Sequence, residues 1–317
     1  MQRKKGTEIE KPVFIFAGFL ESGKTTALQG TLLKTRTKDE GKALIICTEE
    51  GEEEYRIDDL ESLGISVACV SEEEEFTAGL LRDLDARFSP ESIYIEFNGM
   101  WDIKAFRSLS LPDGWFIANI LSLVDASTYD LYLKNIRQTI MTPLSVSDVI
   151  LFNRCGDSFK KSDVRRSLKV LNGRAEVYFT RKDGSIDDTF DELTIKDENG
   201  VINIDETLFC PWFVDTVENA EKYYGKTVSF TGMVTRGREL KDNQFYLGRY
   251  AMICCPEDAK FIGFVAESEG KVPADGDWVI AQARIDKGEI SGNRQVILLC
   301  VEKFRKISAP EERFVFF

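Results

Sequence analysis

In the run GFLESGKTTAL at residues 18–28, Gly18, Gly23, Lys24 and Thr25 have the spacing of a phosphate-binding loop. Such a loop turns successive backbone N–H groups toward a β-phosphate, sets the charge of Lys24 against the β- and γ-phosphates and offers the Thr25 hydroxyl to Mg²⁺. Glycine is needed at 18 and 23 because a side chain would crowd the phosphates or the tight backbone path. Glu21 and Ser22 complete the loop, and Thr26 follows Thr25 into the next element. Phosphoryl chemistry on such a loop also needs an acid at the end of a neighbouring strand. Glu96, in SIYIEFNGMW, meets that need, and Gly99 three positions on can turn its N–H toward a γ-phosphate. Lys24, Thr25 and Glu96 are the candidate catalytic residues. Asp125, in LSLVDAST, is a second strand-end acid, open to a role at the site or to plain solvent exposure.

The elements that must position these groups can be read from hydrophobic patterning. VFIFA (13–17) is a wholly apolar run of the kind a strand buried on both faces requires, and KTTALQGTLLKTRT after the loop reads as a helix. ALIICTE (43–49), SIYIEF (92–97), ANILSLVDA (118–126), SDVILFN (147–153) and AEVYFT (175–180) are strand-like, with helical stretches such as FTAGLLRDLDARF and KKSDVRRSLKVLN between them. This alternation predicts an α/β domain, a mostly parallel sheet with helices on both faces. After about Asp205 the character changes. TVENAEKYYG reads as one short helix, and five strand patterns then follow with turn-forming breaks between them. They predict a small all-β, OB-like barrel. The expected division is a nucleotide-binding domain at 1–207 and a barrel at 208–317.

Composition narrows the functional classes. The 317 residues carry a net charge of −13, which argues against a general nucleic-acid binder, because phosphate backbones are held by clustered Lys and Arg. The OB-like outline and the aromatics Tyr246, Tyr250 and Phe264 leave single-stranded nucleic acid only a weak case against core packing. No apolar run approaches the roughly 20 residues that span a bilayer, and MQRKKGTEIEKP lacks the apolar segment of a secretory signal. A cytoplasmic protein is expected. Seven cysteines, an odd number, do not form a disulfide framework in a reducing compartment. The chain has no histidine, so any metal site must use thiolates, carboxylates or backbone oxygens, and no general base can be imidazole.

With GFLESGKTT, TEEGEE, IEFNG, LVDA and LFNRC in this order, residues 12–190 resemble the CobW-like branch of metal-trafficking P-loop GTPases, whose relatives serve urease and hydrogenase maturation. The resemblance implies GTP or GDP with Mg²⁺ as ligands and a metal-receiving protein as partner. The family's switch segment corresponds to Thr48, Glu49, Glu50, Gly51 and Glu52, which would put Glu49 and Glu52 near Mg²⁺ or a transported metal; an acidic run on a solvated face is the other reading. Where the family carries Cys-x-Cys-Cys, only Cys69 stands here, in SVACVSEEEE. A reduced thiolate–carboxylate site for a transition metal such as zinc would draw on Cys47, Cys69, Glu49 and Glu52, against the reading of both cysteines as small packed hydrophobes.

The guanine-reading motif departs from Asn-Lys-x-Asp. Asn153, Arg154 and Cys155 are followed by Gly156 where the aspartate belongs, with Asp157 one residue late. A one-residue bulge lets Asp157 accept from guanine while the Arg154 stem covers the base; without it, ATP is open. The C-terminal segment, with YYGKTVSFTGMV and RYAMICCPEDAKFIGF, resembles the soluble domain of a bacterial membrane-protein family of unknown function that accompanies a predicted permease. Its Cys-Cys and Asp-Ala match Cys254, Cys255, Asp258 and Ala259. The pair could offer thiolates to a soft metal if the backbone turned sharply, or one cysteine could pack in the barrel.

The leading expectation is a nucleotide-switched accessory or metallochaperone-like factor, a slow Mg²⁺-dependent GTPase. No general base or arginine finger can be named, and hydrolysis would be coupled to rearrangement of residues 48–58 and 97–104. The alternatives are an ATP-dependent small-molecule kinase or ligase-like enzyme, and a non-catalytic, nucleotide-regulated module that binds a membrane permease. A homo-oligomer is compatible with the sequence, and Met100 and Trp101 are either a contact surface or core.

Overall fold

Seven apolar runs pair into one parallel sheet in the computed structural model, which describes residues 10–49, 51, 53–189, 195, 197–198, 200–252 and 259–316. They are β1 (Lys11–Gly18), β2 (Ala43–Cys47), β3 (Ile65–Cys69), β4 (Ser92–Asn98), β5 (Trp115–Asp125), β6 (Val149–Cys155) and β7 (Glu176–Arg181). Their order is β3-β2-β4-β1-β5-β6-β7, and every pairing is parallel. The two-residue period of a strand sorts side chains onto opposite faces. Val13, Ile15 and Ala17 of β1 join Leu44, Ile46, Ile93, Ile95 and Phe97 in one core. Phe16 joins Ala43, Ile45 and Leu123 in another, together with Leu28 and Leu32 from α1 (Lys24–Thr35). Both faces are apolar because helices cover both. The other helices of this part are α2 (Ile57–Ser62), α3 (Ala78–Phe88), α4 (Ile103–Arg107) and α5 (Tyr129–Leu144).

β1 lies at the centre of the sheet between β4 and β5, so the loops leaving β1, β4 and β2 emerge side by side at the carboxyl edge. That edge is where open α/β sheets bind ligands. Each strand foreseen in this part is present, but β3 was not read as a strand. It is a five-residue edge strand, half-buried along most of its length, and Ser66 and Cys69 dilute its apolar pattern.

Five further strands close on themselves. β10 (Thr227–Thr235), β11 (Gln244–Met252), β12 (Lys260–Glu267), β13 (Trp278–Ile290) and β14 (Arg294–Ile307) follow the order β10-β11-β12-β14-β13. β13 returns to β10, while Met233–Thr235 of β10 pair with Tyr246–Gly248 of β11. Only the β12–β14 pairing in this ring is parallel. The result is a five-stranded OB-like barrel. β15 (Phe314–Phe316) adds to β11, and β8 (Asp197–Glu198) and β9 (Val201–Ile204) extend the sheet from β10. Phe209 and Trp212 of α7 (Glu206–Glu218) pack with Val228, Phe230, Phe245, Leu247 and Leu299 in the barrel core. α7 starts ten residues before the short helix expected at TVENAEKYYG. Asp205 caps it by accepting from the N–H groups of Thr207 and Leu208, both at 2.9 Å, and Pro211 disguises its first turns in the sequence. The chain divides into two compact units, residues 1–159 with 171–189, and residues 160–170 with 190–317. The intervening helix α6 (Lys161–Leu171) falls almost entirely in the second.

Candidate functional site

The loop from β1 to α1 takes the backbone path that the glycines were expected to allow. Gly18 has φ 148° and Gly23 has φ 93°, in the half of dihedral space that side chains avoid. A Cβ on Gly18 would lie 2.4 Å from the Leu123 carbonyl oxygen, and one on Gly23 would lie 2.9 Å from Asn153 Nδ2. Glu21 also has a positive φ, of 61°. Lys24 opens α1 and is buried. Its ammonium donates to the carbonyls of Gly18 and Phe19, each at 2.8 Å, and pairs with the Glu49 carboxylate. Glu49 is therefore half-buried, turned against the loop lysine rather than out onto a solvated face. Burial raises its pKa, and the Lys24 charge opposes that shift only in part.

Glu96 reaches the loop because of its strand parity. It is registered beside Phe16 of β1 and Cys47 of β2, and that face of the sheet is covered by α1. Its Oε1 accepts the Thr25 hydroxyl at 2.7 Å, and its Oε2 accepts the Tyr55 hydroxyl. Thr48, fully buried, ties the ends of β2 and β4: its hydroxyl donates to the Glu96 carbonyl at 2.8 Å and accepts from the Asn98 N–H at 2.7 Å. A cavity of about 330 Å³ opens onto these groups, lined among others by Gly23, Lys24, Thr25, Thr26, Glu49 and Glu96.

The β6 motif meets the loop from the other side. Asn153 Nδ2 donates to the Ser22 carbonyl at 2.6 Å. Arg154, with φ 54°, spans from the Glu21 carbonyl at 2.9 Å to Asp125 Oδ2 at 2.5 Å and also lines the cavity. For Asp125, burial works toward a higher pKa, but hydrogen bonds from Ser127 and Arg154 outweigh it and hold the carboxyl below the ordinary range. Asp157 is exposed. Gly99 is packed against the loop: a Cβ there would lie 2.5 Å from the Gly18 oxygen and 2.7 Å from the Phe19 nitrogen. This close approach gives Gly99 a reason independent of any phosphate contact. Trp101 sits edge-on to Phe97 with ring centroids 6.0 Å apart, while Met100 is exposed.

The proposed cysteine sites divide. Cys47 and Cys69 are register partners at the ends of β2 and β3. Cys69 is exposed, whereas Cys47 is buried, donates its S–H to the Glu49 carbonyl and has its thiol pushed up to about 12 by burial. Glu52, Cys254 and Cys255 lie outside the described residues. Among the described residues no three or more Cys, Asp and Glu side chains cluster to hold a metal ion. The donors beside the loop suit Mg²⁺ without such a cage, since it is held by one or two carboxylates together with phosphate oxygens. The Thr25 hydroxyl and the Glu96 and Glu49 carboxylates are hard oxygen donors, and the buried Ser22 Oγ and Asn153 Oδ1 have no partner in the protein.

Sequence reasoning missed Tyr55 and Gln29. Gln29 is buried on α1 and holds the segment after β2: its Nε2 donates to Glu53 Oε1 and the Glu54 carbonyl, and its Oε1 accepts from the Arg56 N–H. Tyr55 is the lone aromatic in the acidic run GEEEYRIDD, the one available signal that part of this run turns inward.

Residues 12–179, more than half of the chain, match the profile described as CobW/HypB/UreG, nucleotide-binding domain, and residues 181–317 match the DUF1980 C-terminal domain. No curated protein matches the chain. Similar solved structures include the Zn(II)-bound YjiA GTPase of E. coli, 20% identical, covering 71% of this chain and 74% of its own, with a TM-score of 0.41. HypB of Archaeoglobus fulgidus, a hydrogenase maturation factor, is 18% identical, covers 53% of this chain and 80% of its own, and has a TM-score of 0.37. HypB of Helicobacter pylori, in complex with nickel, is 17% identical, with 54% and 79% coverage and a TM-score of 0.36. No helix among the described residues is long and apolar enough to cross a membrane.

Proposed function

Because the chain belongs to the CobW/HypB/UreG nucleotide-binding family, we propose that it is a slow, Mg²⁺-dependent GTPase that switches between states as an accessory, metallochaperone-like factor. The observation that carries the reading is the convergence of Lys24, Thr25 and Glu96 at one cavity, with Glu49 on the lysine. Lys24 and the loop amides would hold the β- and γ-phosphates and stabilise charge developing between them. Thr25 and Glu96 would hold Mg²⁺, which when bound would supply positive charge to neutralise the β- and γ-phosphates. Glu49 now takes the Lys24 charge that a γ-phosphate would claim, so nucleotide entry has to displace its carboxylate from the lysine. No described side chain at the cavity is placed as a strong general base, which supports slow turnover. The family supports metal delivery to a receiving protein, and the barrel is the part we assign to partner recognition, a membrane permease being one such partner.

Asn153 and Arg154, which donate to the loop carbonyls of Ser22 and Glu21, support a guanine reading, but the exposure of Asp157 supports a second one in which ATP is accepted and a small molecule is phosphorylated. Equilibrium binding of GTP, GDP, ATP and ADP with Mg²⁺, with Lys24→Ala as control, decides between them. A guanine preference of tenfold or more, about 1.4 kcal/mol, supports the GTPase; an adenine preference, or none, favours the second reading. Binding that survives Lys24→Ala unchanged removes both.

A further inference from the structure

A strand-end carboxylate that serves a cation must be held in one rotamer, and here the hold comes from outside the sheet. Glu96 presents one oxygen to the Thr25 hydroxyl at 2.7 Å, and its other oxygen is taken by the Tyr55 phenol. Cys47 Sγ lies 4.0 Å from that second oxygen, but its proton is committed to the Glu49 carbonyl at 2.8 Å, which leaves Tyr55 as the close donor. The phenol is in place because its ring packs against the core shared by Phe16, Leu28 and Ile45, and because Gln29 pins the backbone on both sides of it, at Glu54 and Arg56. The phenol donates to that second oxygen, so the contact holds the carboxylate from the side away from Thr25.

We propose that Tyr55 is a positioning residue for the divalent cation that accompanies the nucleotide, fixing Glu96 so that one carboxylate oxygen stays beside the Thr25 hydroxyl. This rests on the reading of the site as a Mg²⁺–nucleotide site. Outer partners that orient a ligating carboxylate set its affinity for metal, and their loss typically costs about 10- to 100-fold. Tyr55 belongs to the same short segment as Glu49, but Gln29 holds the backbone at Glu54 and Arg56 on either side of it, so the Glu49 carboxylate can leave Lys24 while Tyr55 stays on Glu96.

The test uses the full-length chain loaded with GDP, with ADP in a parallel series, and Mn²⁺ as the probe, its free concentration read by electron paramagnetic resonance. Tyr55→Phe keeps the ring and removes the hydroxyl. The expected result is a Mn²⁺ dissociation constant raised about tenfold or more, with nucleotide affinity in EDTA within twofold of wild type. Should Tyr55→Phe fail to fold, Gln29→Met, which releases the segment without touching the carboxylate, is read in the same titration and is expected to shift in the same direction. Unchanged Mn²⁺ affinity overturns the proposal. So does an equal loss of affinity in EDTA, which would make Tyr55 a prop for the loop alone. If wild type and Thr25→Ala take up Mn²⁺ equally poorly, the underlying reading of the site falls instead, and the assignment of Tyr55 falls with it.

Discussion

Gly99→Ala adds one methyl group where the turn after β4 presses on the phosphate loop. Built on the present backbone, that Cβ would lie 2.5 Å from the Gly18 oxygen, 2.6 Å from the Gly18 carbon and 2.7 Å from the Phe19 nitrogen. All three are backbone atoms, so no side chain can swing away. Ordinary contact begins near 3.4 Å, so the two backbones have to part by roughly 0.9 Å, and inserted methyls in tight packing cost about 1–3 kcal/mol. The Gly18 and Phe19 carbonyls are the ones that hold Lys24, so the strain is delivered to the lysine and the loop amides. A misplacement of about 1 Å is enough to cost about two orders of magnitude in a preorganised site. The expected outcome is nucleotide affinity down about tenfold or more by fluorescent-GDP titration, and unfolding free energy down by about 1–3 kcal/mol in urea. Gly30→Ala is the control, because a Cβ there meets nothing within 4 Å on α1. The same chemical change should stabilise the protein by about 0.5–1 kcal/mol and leave binding intact. If Gly99→Ala binds nucleotide within twofold of wild type at unchanged stability, the close approach does not constrain the loop, and the argument fails.

Asp215, near the end of α7, accepts from Tyr223, from Lys222 at 3.0 Å and from Asn219 at 2.9 Å; burial works toward a higher pKa, and these bonds outweigh it and hold the carboxyl below the ordinary range. A lowered folded-state pKa contributes stability above the unfolded value and loses it as pH falls through the folded one. Asp215→Asn should therefore cost about 1–3 kcal/mol near neutrality, with the gap to wild type closing below about pH 3.9; a gap independent of pH in acid unfolding would contradict this. Iodoacetamide at neutral pH should alkylate the exposed Cys69 at least about tenfold faster than Cys47, whose thiol burial pushes up to about 12. Equal labelling by peptide mass spectrometry would show that Cys47 is not sealed against Glu49.

The sequence made the scaffold legible because β1, the loop and α1 are specified locally: an apolar run, glycines at positions with positive φ, then helical spacing. The barrel was legible for a related reason, since its five strands are each bounded by turn residues. β3 and α7 were harder to read because their local signals conflict with their tertiary places. β3 is a thin edge strand held by pairing with β2, and α7 carries Pro211 on a helix that the barrel core secures through Phe209 and Trp212. At the site, Lys24, Thr25 and Glu96 were identifiable from their types and Glu49 through the family resemblance, while Tyr55 and Gln29 were not. Glu49, Tyr55 and Gln29 lie in or touch an acidic segment whose composition reads as a solvated surface, and part of it turns inward because three buried groups on two elements, α1 and β4, need its atoms. Lys24 takes the Glu49 carboxylate, Glu96 takes the Tyr55 hydroxyl, and Gln29 takes the Arg56 N–H and gives its own to Glu54. None of those needs is visible in the segment itself. An acidic run beside a phosphate loop is therefore better judged by what the loop lysine and the strand-end acid require than by the charge of the run.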